Sequence, residues 1–392
     1  MRKPLLATLV FASVCACWAS PGLAQRPLIV GAAEDASKEP ELTVAKAKMD
    51  LASLAGLSAV RITSLWTPGR TAVSSAELLV LRNAAGAAAL DGIRLFVSVY
   101  PKEGSAVPLT MAARKEFATY AAAIARELPS VTDFIVGNEP NLSRFWMPQF
   151  TADAKDAAAP AYEKLLAQSY DALKAVNPAI NVIGGALAPR GGDRPLARPT
   201  HSPTIFIRDL GRTYRTSKRR RPLMDMLAFH PYLEKSKLPP TFSHPRNKYI
   251  SLNDYGKLVA LLAEAFDGTA QRGTTLPILY DEFGVQSEIV PAKAALYSNA
   301  TAPTAQDAVP EATQAAYYRQ ALELATCQPT VVGLLLFHVS DESDLRAWQS
   351  GLFYFDDTPK SSMAPVRDAA VAAETDTLVP LCSLPLPADA RR

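Results

Sequence analysis

The chain of 392 residues contains few cysteines and histidines, four of each. The histidines are scattered without metal-ligand spacing, and there is no His-x-His motif of the metal-dependent hydrolase barrels. A Gly-x-Ser-x-Gly turn, which presents the nucleophile of α/β-hydrolases, is absent as well. No glycine-rich dinucleotide fingerprint follows the first candidate strand. The sequence therefore predicts chemistry that uses neither a metal ion nor another cofactor.

Charge of one sign is also lacking, since the formal net charge is +3. Such a balance does not indicate a nucleic acid or another charged polymer as the main partner. The basic run Lys218–Arg221 is too short for a nucleic-acid site and is interpreted as a solvated loop. The acidic residues Asp341, Glu342 and Asp344 are interpreted as a solvated rim. Hydrophobic residues make up 48% of the chain, which is enough for a sizeable core.

The N-terminus has the pattern of a secretory signal peptide over residues 1–25. Arg2 and Lys3 precede the apolar run Leu5–Trp18, and Pro21–Ala24 then supplies helix breakers and small residues. The apolar run is too short to cross a bilayer as a stable helix. We therefore expect export and a mature chain that begins near Gln25.

A lipoprotein acylated at Cys17 is the alternative reading of this segment, although Cys15 is an unusual residue for the acylation motif. No other long apolar stretch occurs in the sequence. The mature chain is accordingly expected to have no membrane span.

Two cysteines remain after the predicted cleavage, Cys327 and Cys382. Export permits a disulfide between them, which would tie the Pro-rich tail to the domain. Two free buried thiols are the alternative, and the sequence does not distinguish the two. Neither cysteine lies in a motif with a nearby histidine, which argues against a cysteine nucleophile.

Short apolar runs alternate with longer amphipathic stretches along the rest of the chain. Eight runs have the uninterrupted apolar character of strands buried on both faces: Leu28–Gly31, Ala59–Thr63, Arg94–Val99, Asp133–Gly137, Asn181–Gly184, Asp225–Phe229, Leu276–Tyr280 and Val331–Phe337. Eight helical patterns accompany them: Glu41–Leu54, Ala76–Leu90, Ala112–Leu128, Tyr162–Val176, Ile205–Tyr214, Leu252–Phe266, Ala312–Ala325 and Ala364–Ala373. Strict alternation predicts a parallel sheet, and eight units predict a closed (β/α)8 TIM barrel, an α/β fold.

The predicted barrel is a single domain over residues 26–376, followed by a Pro-rich tail over residues 377–392. The longest irregular stretches follow strands five to eight: Pro189–Pro203, Glu234–Ile250, Val290–Pro310 and Ser340–Ser350. These long loops would lie at the C-terminal face of the barrel, where barrels build their sites.

Two glutamates stand at the ends of predicted strands. Glu139 follows the run Phe134–Asn138, and Glu282 follows Ile278–Asp281. Carboxyl groups at the C-terminal ends of strands four and seven would face the same mouth of a barrel. Cleavage of a glycosidic bond requires such a pair, one carboxyl group to protonate the leaving oxygen and one to attack the anomeric carbon.

The segments around both glutamates resemble those of clan A glycoside hydrolases, the cellulase and β-xylosidase-like superfamily. Asn138-Glu139-Pro140 is similar to the clan's Asn-Glu-Pro signature after strand four, and Tyr280–Gly284 resembles its nucleophile segment in strand seven. The resemblance implies that Glu139 is the acid/base and Glu282 the nucleophile. It also implies that Asn138 hydrogen-bonds the sugar 2-hydroxyl.

Two further segments carry the same resemblance. His230-Pro231-Tyr232 at the end of strand six is similar to the clan's His-x-Tyr, whose Tyr contacts the nucleophile. Arg61 on strand two resembles the clan's Arg beneath the nucleophile, where a cation would keep Glu282 ionised. The resemblance therefore places His230, Tyr232 and Arg61 in the substrate-binding site.

Strand eight departs from the clan, which commonly places a Trp there as a floor for the sugar. Here Phe337 or His338 occupies the expected place at the end of the strand, and Trp348 lies further along the loop. Four aromatic residues that follow strands are candidate platforms, with ordinary loop packing as the alternative: Trp66, Tyr100, Trp146 and Trp348.

The predicted function is hydrolysis of an O-glycosidic, β-linked bond of an oligo- or polysaccharide with net retention. For retention, the carboxyl groups of Glu139 and Glu282 should lie about 5–5.5 Å apart. A non-catalytic carbohydrate-binding barrel and a transglycosylase that uses the same residues are the alternatives. The sequence leaves open the sugar, the linkage, endo or exo action and the oligomeric state.

Overall fold

The computed structural model describes residues 27–299 and 307–383. The predicted signal peptide, its cleavage site near Gln25 and the alternative acylation site Cys17 lie outside the described residues. The strands are β1 (Ile29–Ala33), β2 (Ala59–Trp66), β3 (Arg94–Pro101), β4 (Asp133–Val136), β5 (Asn181–Leu187), β6 (Met226–Phe229), β7 (Ile278–Phe283) and β8 (Val331–Phe337). The main helices are α1 (Leu42–Leu54), α2 (Ser75–Asp91), α3 (Met111–Glu127), α4 (Ala158–Val176), α5 (Pro203–Ser217), α6 (Tyr255–Phe266), α7 (Glu311–Ala325) and α8 (Met363–Glu374).

The eight strands form one closed parallel barrel. Each strand pairs with the next, and β8 closes the sheet by pairing with β1, where Ala33 lies opposite Phe337. A helix follows each strand, so the (β/α)8 TIM barrel prediction is confirmed. Small and branched side chains fill the inside of the barrel: Ala59, Phe96, Ile135, Ile183, Ala186, Ala228, Leu279 and Leu335.

Several strands extend further toward the C-terminal face than their apolar runs indicated. Strand β2 continues beyond Thr63 to Trp66, and β7 continues beyond Tyr280 to Phe283. Polar residues interrupt the apolar pattern there but are buried and bonded, as when the hydroxyl of Ser64 donates to Glu77 at 2.6 Å. Hydrophobicity therefore underestimated the end of β7, which carries Glu282, whereas β4, which precedes Glu139, ends at Val136, one residue before its predicted end.

The loop after β8 is only in part the solvated acidic rim that its sequence indicated, since Glu342 is exposed but Asp341 is buried. The side chains of Asp341 and Lys360 are both 0% exposed and form an ion pair at 2.7 Å. Tyr297 donates a further hydrogen bond to Asp341 at 2.7 Å, and the Lys360 ammonium also contacts Ser287 at 2.8 Å. A buried charge requires partners of this kind, so the interpretation of Asp341 as solvated is wrong.

A disulfide joins Cys327, just after α7, to Cys382 in the tail, with Cα atoms 5.8 Å apart. Of the two alternatives that the sequence left open, the structure therefore has the disulfide. Among the helices of residues 27–299 and 307–383, none combines the length and apolar character that a membrane-spanning segment requires.

Loss of this disulfide is expected to destabilise the domain. The bond closes a loop with a sequence separation of 55, and closure of such a loop restricts the unfolded chain by roughly 4 kcal/mol. We expect urea unfolding of the Cys327→Ser/Cys382→Ser variant to shift to a lower midpoint. Reduced wild type should unfold at the same midpoint as this variant. Equal midpoints for the oxidised wild type and the variant would show that the bond does not stabilise the fold.

Candidate active site

The C-terminal ends of the strands surround a cleft of about 1100 Å³. Six of the predicted site residues line it: Arg61, Asn138, Glu139, Tyr232, Glu282 and Trp348. The amide oxygen of Asn138 is buried and has no hydrogen-bond partner among the residues that the structure describes. Buried polar atoms are normally paired, so this oxygen is an acceptor that a ligand hydroxyl can satisfy.

The backbone at the end of β4 turns sharply to present Glu139. Gly137 has a φ of +93°, and a Cβ there would lie 2.8 Å from the ring of Tyr162. The hydroxyl of Tyr162 donates to the carbonyl of Val136 at 2.6 Å and accepts from the amide of Gly185 at 2.7 Å, which ties β4 to β5. Glu139 itself has a φ of +38°, an uncommon conformation that is concentrated at functional sites.

A β-bulge in β7 presents two acidic residues to the same arginine. Between Tyr280 and Phe283 the register with β8 shifts by one residue, so that strand alternation is broken. Arg61 on β2 consequently donates to Asp281 at 2.8 Å and also to Glu282. The arginine is 6% exposed, and this double contact fixes the Glu282 carboxylate at the base of the cleft.

His230 connects the two candidate catalytic carboxyl groups. Its Nδ1 lies 3.0 Å from Glu139 Oε1 and 3.5 Å from Glu282 Oε2, and its Nε2 lies 3.3 Å from Asp281 Oδ1. The hydroxyl of Tyr232 donates to Glu282 Oε2 at 3.1 Å. Because one nitrogen is close to both glutamates, those two oxygens are no more than about 6.5 Å apart, the sum of the two distances.

The buried charges of this cluster favour a protonated His230. Burial lowers the pKa of His230, but the charges of Glu282 and Asp281 and the hydrogen bonds outweigh it and raise the pKa to about 10. Burial likewise works to raise the pKa of Asp281, whereas His230 and Arg61 hold it below its usual value. At neutral pH two cations, Arg61 and His230, are therefore set among the carboxylates.

Tyr232 is held as a neutral donor. Burial raises its pKa well above the usual value, and the charges of Glu282 and Glu139 raise it further. The hydroxyl proton therefore remains available for the hydrogen bond to Glu282, which orients that carboxylate within the cleft.

The raised pKa of His230 predicts a pH-dependent stability. With a pKa of about 10 in the folded protein against about 6.5 unfolded, its contribution is complete below pH 6.5 and is lost as the pH rises to 10. We expect the free energy of unfolding to fall by up to about 1.4 kcal/mol per pH unit in this window. Urea unfolding of wild type and of His230→Gln at pH 7, 8 and 9 measures this pH dependence of the free energy of unfolding. Identical slopes for the two proteins would contradict the assignment.

Trp348 supplies an aromatic surface where strand eight lacks one. Its ring centroid lies 5.3 Å from that of Tyr232 and 5.5 Å from that of Phe337. Within the loop, its backbone amide donates to the carboxylate of Glu342 at 2.7 Å, and the Glu342 amide donates back to its carbonyl at 3.1 Å. The loop after β8 thus places the ring of Trp348 beside Tyr232, on the side of the cleft where Glu282 lies.

Trp146 does not line the cleft, so its prediction as a sugar platform is wrong. It is 1% exposed and packs edge-on against Tyr162 at 5.7 Å. The amide of Met147 donates to the carbonyl of Gly104 at 2.7 Å, which turns the β4 loop back over the barrel and buries the indole. Trp66 is likewise 0% exposed, whereas Tyr100 lines the cleft as predicted.

Sequence reasoning missed the roles of Asp281, Phe145, Arg144 and Arg190. Asp281 bridges Arg61 and His230, and its position inside the nucleophile segment was the available signal. Phe145, Arg144 and Arg190 line the cleft. No motif marks these three, and their exposure to the cleft depends on loop conformation.

No group of three or more His, Cys, Asp or Glu side chains within residues 27–299 and 307–383 is arranged to hold a metal ion. The cluster around Glu139 and Glu282 consists of carboxyl groups, a histidine, an arginine and a tyrosine. Two carboxyl groups set this close together, one of them bonded to a guanidinium, are suited to general acid/base and nucleophilic catalysis.

Comparison with known proteins gives the fold but not a close relative. No protein-family profile and no curated protein sequence match the chain. Among solved structures it is similar to a glycoside hydrolase of subfamily GH5_18 from Streptomyces cattleya (17% identity, TM-score 0.58, covering 91% of this chain and 83% of that one). It is also similar to a monomeric β-xylosidase from Caulobacter crescentus (16% identity, TM-score 0.53, 88% and 68%).

Some similar structures are much larger. The chain spans 35% of the length of a β-glucuronidase from Bacteroides uniformis, at 14% identity and a TM-score of 0.54. Identities this low establish the architecture alone. Sequence, barrel topology and structural neighbours agree that the chain has the fold of the clan A-like glycoside hydrolase barrels.

Proposed function

We propose that the protein is a retaining glycoside hydrolase that cleaves a β-linked bond of an oligo- or polysaccharide. The observation that carries the proposal is the contact of His230 Nδ1 with both Glu139 at 3.0 Å and Glu282 at 3.5 Å. The contact keeps those two oxygens no more than about 6.5 Å apart, which is compatible with the separation of about 5–5.5 Å in retaining enzymes and supports the proposal. Inverting enzymes need about 6.5–9.5 Å to admit a water molecule between the sugar and the base.

In the first step, the carboxyl group of Glu139 gives its proton to the glycosidic oxygen while the carboxylate of Glu282 attacks the anomeric carbon. The bond from that carbon to the leaving oxygen breaks, and a glycosyl ester of Glu282 forms. In the second step, Glu139 takes a proton from water, which attacks the same carbon and releases the sugar. The carboxylate of Glu282 and the proton on Glu139 are both restored.

The neighbours of Glu282 suit its proposed role as nucleophile. Arg61 and Tyr232 both donate to Glu282, so its carboxylate is oriented for attack without a rearrangement. Asn138 precedes Glu139 and carries a buried amide oxygen without a partner, which supports its proposed hydrogen bond to a sugar hydroxyl. Trp348 and Phe337 offer apolar ring faces on the same side of the cleft as Glu282.

The stereochemistry of the first product tests the proposal. We expect proton NMR to show that the sugar released from a β-linked aryl glycoside or oligosaccharide has the β configuration before it mutarotates. A screen of nitrophenyl glycosides and polysaccharides identifies the substrate for this measurement. An initial α product would contradict the double displacement, and the absence of turnover on the whole panel would favour a non-catalytic carbohydrate-binding barrel.

The place of action is part of the same proposal. The pattern of residues 1–25 is that of a secretory signal, and an exported enzyme meets polysaccharides outside the cytoplasm. The disulfide between Cys327 and Cys382 supports an oxidising compartment. N-terminal sequencing of the protein recovered from outside the cytoplasm should begin near Gln25.

A further inference from the structure

Two arginines, Arg144 and Arg190, line the cleft without a counter-ion among the described residues. Arg144 follows β4, Arg190 follows β5, and both are exposed. Among the residues that the structure describes, neither guanidinium forms an ion pair or a hydrogen bond. The guanidinium of Arg144 lies over the ring of Phe145, 5.3 Å from its centroid, and a guanidinium that stacks on an aromatic ring can still donate hydrogen bonds in its own plane.

Several other charged side chains around the cleft already have partners of opposite charge. Arg346 pairs with Asp344 at 2.7 Å, Lys48 pairs with Asp357, and Glu234 contacts His244 at 2.8 Å. Glu282 and Glu139 contact Arg61 and His230. Arg144 and Arg190 are therefore the cleft-lining cations that have no counter-ion among the described residues, whereas the carboxylates of Glu34 and Glu342 accept hydrogen bonds from backbone amides.

The two arginines belong to the acid/base side of the cleft. Asn141 lies two residues after Glu139, and its side-chain amide forms two hydrogen bonds with the backbone of Ala188. Its Nδ2 donates to the Ala188 carbonyl at 3.1 Å, and its Oδ1 accepts from the Ala188 N–H at 3.0 Å. Arg144 and Arg190 thus extend from two segments that are joined beside Glu139. Because the acid protonates the leaving oxygen, the leaving group must lie against these segments.

We propose that Arg144 and Arg190 bind an anionic substituent, a carboxylate or a sulfate, on the sugar at the leaving-group side of the scissile bond. The planar fork of a guanidinium matches both of these anions. The natural substrate is then an acidic glycan. This assignment rests on the proposed glycosidase function, since it is the role of Glu139 that defines the leaving-group side.

Binding to matched neutral and anionic sugars tests the proposal. Isothermal titration of the full chain carrying Glu282→Gln, which cannot turn the ligand over, uses two pairs: β-1,4-oligomannuronate with β-1,4-oligomannoside, and sulfated with unsulfated cello-oligosaccharide. We expect the anionic member of at least one pair to bind about 10-fold or more tightly, with an affinity that falls as salt is added. The pair that shows the preference identifies the anion as carboxylate or sulfate.

Variants assign this preference to the two arginines. Arg144→Gln and Arg190→Gln, added to Glu282→Gln, should each weaken the anionic ligand by about 10-fold and leave the neutral one unchanged. Arg346→Gln is the matched control, because Asp344 already neutralises that arginine. Circular dichroism of each variant confirms that it is folded. Equal affinity for both members of both pairs, no binding of either anionic ligand, or arginine variants that keep the wild-type preference would overturn the proposal.

The experiments distinguish a failure of the anion-binding proposal from a failure of the proposed glycosidase function. Covalent labelling of Glu282 by a glycosidase probe, together with no preference for anions, would reject only the acidic substrate. A preference for anions that requires Arg144 and Arg190, without labelling or turnover, would reject only the hydrolase.

Discussion

Glu282→Gln is expected to lower kcat on the order of 100,000-fold, because the amide cannot form the glycosyl ester on which the two-step reaction depends. The amide is similar in size to the carboxylate, its oxygen can still accept from Arg61, and its NH2 group can donate to the hydroxyl oxygen of Tyr232, so folding should be retained. Initial rates with the preferred substrate measure kcat, and circular dichroism shows whether the variant is folded. The matched control is Glu288→Gln, an exposed carboxylate six residues further along that does not line the cleft.

Added azide extends this test. In Glu282→Ala, azide can enter the space of the missing carboxylate and attack the anomeric carbon, which should give a glycosyl azide of inverted configuration. Residual activity of Glu282→Gln within about tenfold of wild type would remove Glu282 from the nucleophile role.

Glu139→Ala should slow the reaction in a way that depends on the leaving group. Loss of general acid catalysis costs roughly 100- to 10,000-fold for substrates whose leaving oxygen needs a proton. A dinitrophenyl glycoside, whose leaving group needs no protonation, should form the glycosyl ester at close to the wild-type rate. Its turnover should then be limited by the second step, since no base activates the water. Pre-steady-state kinetics should therefore show a burst followed by slow release.

Azide should relieve that second step in Glu139→Ala and give a glycosyl azide of retained configuration, the opposite of the Glu282→Ala product. The opposite configurations of the two glycosyl azides therefore identify which glutamate is the nucleophile and which is the acid/base. If every substrate slows by the same factor, Glu139 positions the sugar and does not transfer the proton.

The barrel was predictable because its strands are buried on both faces. In the run Asn181–Gly184, for example, the residues after Asn181 have no polar side chain, and the alternation of eight such strands with helices predicts a closed barrel. The strand ends were less predictable. Asp281 and Glu282 interrupt the apolar pattern, yet they lie inside β7, because Arg61 supplies the charge that makes their burial tolerable.

The candidate site was predictable to the extent that it depends on strand ends. Glu139, Glu282 and Tyr232 line one cleft, as expected for residues that follow or end strands of the same barrel. The bulge in β7 that brings both Asp281 and Glu282 to Arg61 has no sequence signature, because it depends on the register with β8.

Loop residues were not predictable from the sequence. Phe145 and Trp146 are adjacent aromatics in the β4 loop, and only the path of the backbone decides that the first lines the cleft and the second is buried. Asp341 carries no local sign of burial, since its partner Lys360 lies 19 residues away and both depend on the fold of the β8 loop. The same limit applies to Cys327 and Cys382, whose pairing requires Cα atoms within reach.

The central claim is that Glu282 forms a covalent bond to the sugar while Glu139 serves it as acid and base. Mass spectrometry of the chain after reaction with a 2-fluoro glycoside or a cyclophellitol-type reagent of the preferred sugar tests it most directly. The account predicts one adduct per chain, mapped by peptide digestion to Glu282 and absent in Glu282→Gln. An adduct on Glu139, or an unmodified chain whose turnover nevertheless proceeds with inversion, would contradict it.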